Sequence, residues 1–143
     1  MSVRIDVESK ATLAALKNLE EDVQDRATQV AIMQAGLVLE REAKLMLTKS
    51  GRHPKGTPTP SAPGSPPAIV TGSLRASVKT TEPQREGMGN YSVMVGPTVI
   101  YARVQELGGG PRNLPARPYM QPAAEQSLGA VREAYINALR RYI

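Results

Sequence analysis

The period of the apolar positions changes several times along the chain, and each change marks an element. "VRIDV", starting at Val3, alternates apolar and polar side chains, which predicts a short half-buried strand at a sheet edge. After Ser9, a residue type suited to helix N-caps, Leu13, Leu16, Leu19 and Val23 recur at helical spacing, with Lys17, Glu20 and Glu21 on other faces. A second helix is expected over about residues 25–47. Its first part, Ala27 to Leu39, carries no charge on any face, whereas Glu40, Arg41, Glu42 and Lys44 crowd its second half. A helix apolar all round is normally buried on more than one side, so this one is expected to run through the core.

Residues 49–69 break the pattern. Six of the twelve prolines lie between Pro54 and Pro67. Proline fixes φ and removes a donor, which excludes helix and central strand and predicts an extended loop. At about 3.1 Å per residue, the fourteen residues from Pro54 to Pro67 would reach about 40 Å. Loops of this length are uncommon inside a compact domain and are usually functional or disordered. Lys49, Arg52, His53, Lys55, Pro58 and Pro60 are therefore candidates for a partner-binding arm, suited by charge to an acidic surface or to phosphates.

Beyond the loop, Thr71 and Gly72 supply a turn, and Leu74, Ala76 and Val78 alternate with Arg75, Ser77 and Lys79, the period of a strand. "NYSVMVG" alternates again, with Tyr91, Val93 and Val95 on one face, and antiparallel pairing of these two segments is the simplest topology. The glycines of "GGGP", Gly108 to Pro111, suit a tight turn. A final helix, about residues 121–142, starts near Pro118 or Pro122 and places Ala124, Leu128, Val131, Tyr135, Ala138 and Tyr142 on one stripe.

Composition narrows the chemistry. The 143 residues suffice for a single domain, residues 1–143, but five tyrosines are the only aromatic residues, so the core must be aliphatic and methionine-filled. With no cysteine there are no disulfides or thiolate ligands, which points to a reducing compartment. "MSVRIDVESK" has no secretory apolar stretch, and Ala27 to Leu39 falls short of the ~20 residues that span a bilayer, so no membrane association is expected. His53 is the only histidine and has no carboxylate near it in sequence; the glycine-rich segment lacks the Lys-Ser/Thr of a P-loop. No catalytic residue, metal ligand or cofactor site is expected, and an enzyme is the least supported class. A net charge of +5 and a pI near 9.7 keep a small basic DNA-binding protein as an alternative of another class.

Three segments, "AIVTGSLRASV", "YARVQELGG" and "LPARPYMQPAAEQ", occur in an order and spacing that resemble the neck or tail-completion proteins of long-tailed bacteriophages. The positions that carry the resemblance are Thr71, Gly72, Leu74, Arg75 and Ser77, then Tyr101, Ala102, Glu106 and Gly108, then Pro115, Ala116 and Pro118. The resemblance implies an α+β domain with a small, mainly antiparallel sheet packed by the long helix and the C-terminal helix. It also implies a structural virion protein, assembled in the host cytoplasm, that forms a six-fold or twelve-fold homo-oligomeric ring at the head-to-tail junction. Its neighbours would be a head-completion or stopper protein on the capsid side and a tail terminator or tail tube protein on the other, with non-specific contact to DNA in the channel. A tail terminator capping the tube is the alternative within this class. On this reading the proline-rich arm reaches a neighbouring subunit or ring, and Arg75 pairs across an interface or with Glu106.

Overall fold

A computed structural model of the chain describes residues 1–6, 21–58, 60–87 and 89–142. The fold is α+β, a small antiparallel sheet with two helices across one face. Apart from Glu21 and Val23, the helix expected after Ser9 lies outside the described residues.

The sheet is built on one strand. Strands β1 (Val3–Asp6), β2 (Lys79–Thr80) and β3 (Gln84–Gly87) all pair antiparallel with β4 (Asn90–Gly96), β1 along one side and β2 and β3 in succession along the other. Val3 lies opposite Val95 and Ile5 opposite Val93, so apolar side chains share one face across the pair. Tyr91, Val93 and Val95 are buried on that face while Met94 points out, as the period of two requires. The edge position expected of "VRIDV" is therefore observed.

The strand expected over Leu74–Val78 is replaced by a short helix, α2 (Ser73–Ser77), and the strand begins only at Lys79. The local chemistry explains the difference. Gly72 adopts φ 84°, the Ser73 N–H approaches the Thr71 hydroxyl at 3.3 Å, and the Ser77 hydroxyl donates to the Leu74 carbonyl at 2.8 Å. Leu74 and Val78 are four apart, so a helical turn directs both inward just as well as a strand would, and it leaves Ala76 exposed.

Helices α1 (Glu21–Met46) and α4 (Met120–Arg140) pack antiparallel over the sheet. The first half of α1 meets the end of α4 in one cluster (Ala27, Ala31, Ile32 and Ala35 with Tyr135, Ala138 and Leu139). The second half meets its start in another (Leu39, Ala43 and Met46 with Tyr119, Met120 and Ala123). Positions 27, 31, 35, 39 and 43 form a row spaced by four, and all but Leu39 are alanine, which lets α4 lie close along that ridge. Gly36 serves the same purpose against the sheet: a Cβ there would stand 2.6 Å from Thr80 Cγ2 and 3.0 Å from Val93 Cγ2. The stripe expected on α4 is rotated by one residue at its start. Ser127 is buried and Leu128 is 62% exposed, because Tyr119 and Met120, both fully buried, fix the helix's phase from its first turn.

The proline-rich segment does not run out as an extended arm. Arg52 pairs with Ile69 in an isolated parallel bridge, with His53 N–H donating to the Ile69 carbonyl and Ile69 N–H to the Gly51 carbonyl, both at 2.8 Å. Gly64 N–H donates to the Ala116 carbonyl at 2.9 Å, and the Arg117 guanidinium donates to the Ser61 carbonyl at 3.2 and 3.3 Å. Proline removes donors but keeps carbonyls, and partners elsewhere in the chain use the remaining backbone groups to fold the loop back.

Candidate functional site

The segment after β4 turns at Val99–Ile100 into a second short helix, α3 (Ala102–Leu107), and the residues carrying the resemblance meet around it. Ala102 is buried, which seats α3, while Tyr101 at its start is 43% exposed. Leu74, Thr71 and Gly72 line a groove of about 170 Å³ with Tyr101, Gln105 and Ile69. The first two motif segments thus share one depression, with Arg75 also on its wall.

Arg75 does not pair with Glu106. Its Nε donates to the Lys44 carbonyl at 3.3 Å, near the C-terminal end of α1. The Glu106 carboxylate is 3% exposed and fully engaged elsewhere: Oε2 accepts the N–H groups of Tyr119 and Met120 at 2.8 and 3.0 Å, and Oε1 accepts that of Gln121 at 3.0 Å. These are orphan donors at the N-terminus of α4, where a negative charge also meets the positive end of the helix dipole. Pro122, the next residue, has no N–H to satisfy, so the expected first-turn proline fits the end of this set. Glu106 is a helix cap supplied from another helix.

The third motif segment is held to the second. Arg117 N–H donates to the Gln105 carbonyl at 2.7 Å, and Gly109 and Leu114 exchange two hydrogen bonds at 2.8 and 2.9 Å. Gly108, at φ 74°, leaves no room for a side chain, since a Cβ would stand 2.7 Å from Ala116 N and 2.8 Å from Leu114 O. The expected glycine turn is present, with Gly108, Gly109 and Gly110 all at positive φ. Pro115 and Ala116 are exposed and Pro118 is half-buried on the approach to α4.

The candidate arm residues lie on the adjoining loop. Lys49, Arg52, Lys55 and Pro58 are exposed and Pro60 is half-buried. A ring nitrogen of His53 is 3.1 Å from the Ser50 carbonyl, so this side chain helps close the loop. The surface also exposes apolar groups: Ile100, 98% exposed, which no sequence motif singled out, and Leu107 and Leu114. The signal was an isoleucine next to a tyrosine in a segment whose alternation had already ended at Gly96.

Two carboxyl and phenol environments have clear physical causes. Burial pushes the Glu40 carboxyl up, but hydrogen bonds from Lys44 Nζ and from the N–H and hydroxyl of Thr80 outweigh it and hold the group below its ordinary value. Burial pushes the Tyr119 phenol up, reinforced by the nearby Glu106 charge. Among the described residues, no group of three His, Cys, Asp or Glu side chains is placed to hold a metal ion, and no helix is long and apolar enough to cross a membrane. Comparison with known family models, with curated proteins and with solved structures finds no match to the chain.

Proposed function

We propose that this protein is a structural component of a long-tailed bacteriophage particle, a subunit of a ring at the head-to-tail junction that helps join the filled capsid to the tail. The reading starts from the three motif segments and their order. The observation that carries it is their arrangement: the first two face one groove, and Glu106, Gln105 and Gly108 bind the second to the third and to α4. Such residues build a clasp, and the clasp presents Ile100, Tyr101 and Leu107 at the surface. Exposed apolar groups of this size suit protein–protein contact. A ring would bury them through heterologous contacts that close by rotation.

The test is electron microscopy of particles made by a phage lacking the gene, beside a complemented control. The proposal predicts filled heads and tails of normal length that fail to join. Abnormally long tails would assign the protein as a tail terminator instead. Normal infectious particles would overturn both readings.

A further inference from the structure

Outside the clasp, large apolar side chains stand exposed at three places among the described residues: Val23, Leu37 and Leu45 on α1, Leu128 and Ile136 on α4, and Met1 and Met94 at the sheet. Leu128 is the most exposed of these, at 62%. On α4 it has Glu125 one turn before it and Arg132 and Ile136 one and two turns after, all exposed, so the four share one side of the helix. Glu125 accepts a 3.0 Å hydrogen bond from the amide of Gln121 on its own helix, and none of the ion pairs among the described residues includes it.

The clasp carries the reciprocal combination. Arg103 and Leu107 lie four apart on α3, which puts them on one face of that helix, and both are exposed. Arg103 is likewise outside every ion pair among the described residues. A heterologous contact joins two different patches, so the apolar groups of the clasp need a separate receiving surface. The exposed leucines of α1 do not provide it. Leu37 and Leu45 share a cleft with Arg41, Lys44 and Arg75, and the acid there, Glu40, is already engaged by Lys44 and Thr80, so Arg103 would meet uncompensated cations. Met94 lies opposite Arg4, whose pairs with Asp6 and Glu86 would have to be stripped of water.

We infer that the outer face of α4 in a second copy of this chain is the surface on which the clasp docks, with Leu107 packing on Leu128 and Arg103 pairing with Glu125. The inference rests on the ring reading and names the patch that completes its subunit contact. Charge sets the direction: Arg132 stands on the other side of Leu128 from Glu125, and the reversed contact would bring it against Arg103. Leu128 lies seven residues, about 10 Å, beyond the last N–H that Glu106 caps. Clasp and receiving face are therefore separate patches of one molecule, and repeating the contact adds copies instead of closing a pair.

The experiment complements a phage lacking the gene with charge-reversed copies. Arg103→Glu and Glu125→Arg each set like charges together and are each expected to lower the yield of joined particles about a hundredfold, whereas both reversals in one chain should restore it to within about tenfold. Thermal melting should show every variant folded. Because the chain has no cysteine, Leu107→Cys and Leu128→Cys placed in one chain report the contact directly. Oxidised particles are expected to give a ladder of covalent multimers on a denaturing gel without reductant, and either cysteine alone none. Harmless single reversals, a double reversal no better than the singles, or joined particles without a ladder would overturn the inference and leave the ring reading standing. Covalent dimers from Leu107→Cys alone would overturn it by showing clasp against clasp. Normal infectious particles without the gene would overturn the ring reading, and this inference with it.

Discussion

Glu106 accepts hydrogen bonds from three consecutive backbone N–H groups, those of residues 119 to 121, and at 3% exposure no water can replace it. Removing the carboxylate strands those donors at a helix end packed into the core. Glu106→Ala should therefore lower stability by about 3 kcal/mol in urea denaturation, and Glu106→Gln, which keeps one acceptor, by less. Glu40 gives a pH-dependent counterpart. Because the fold holds its carboxyl below the ordinary value, its contribution is complete above the unfolded pKa and is lost as pH falls through the lower folded one. The melting-temperature difference between the native protein and Glu40→Gln is thus expected to be constant near neutrality and to shrink below about pH 4. A difference that grows in acid would contradict this assignment.

At the level of elements, two helical glycines of opposite circumstance test the packing. Gly36 on α1 faces Thr80 and Val93 at distances a Cβ cannot share, so Gly36→Ala should destabilise by about 1–2 kcal/mol despite alanine's better helix propensity. Gly129 on α4 has open space around it, and Gly129→Ala should stabilise by about 0.5–1 kcal/mol in the same thermal melts. The elements that were legible in the sequence are those whose period is unambiguous. Tyr91, Val93 and Val95 can be buried together only as a strand, and the uncharged run from Ala27 to Leu39 is a core helix. Leu74 and Val78 satisfy both a two-residue and a four-residue step, and only the turn chemistry at Thr71 and Gly72 selects the helix. The phase of α4 was hidden because Tyr119 and Met120, packed against α1, set it. The cap at Glu106 and the Ser61–Arg117 bonds were hidden for the same kind of reason, since their partners lie 13 to 15 and 56 residues apart.

For the whole molecule, hydrogen bonds from Gly64 N–H to the Ala116 carbonyl and from Arg117 to the Ser61 carbonyl tie the folded-back loop to the motif clasp, whose surface exposes Ile100, Tyr101 and Leu107. On the proposed function that surface is where neighbouring subunits meet. Ile100 is the sharpest probe because it is almost wholly exposed, so a polar replacement should cost the fold less than about 0.5 kcal/mol. Ile100→Asp is expected to melt with the native protein and yet to fail to restore joined particles in a phage lacking the gene. If joining is restored in full, Ile100 is outside the interface. Residence at the head-to-tail junction can be seen by gold labelling a functional tagged copy in purified particles and locating the label by electron microscopy. Label is expected at the junction of head and tail; particles without label, or label confined to the capsid shell or the distal tail, would overturn the proposed function.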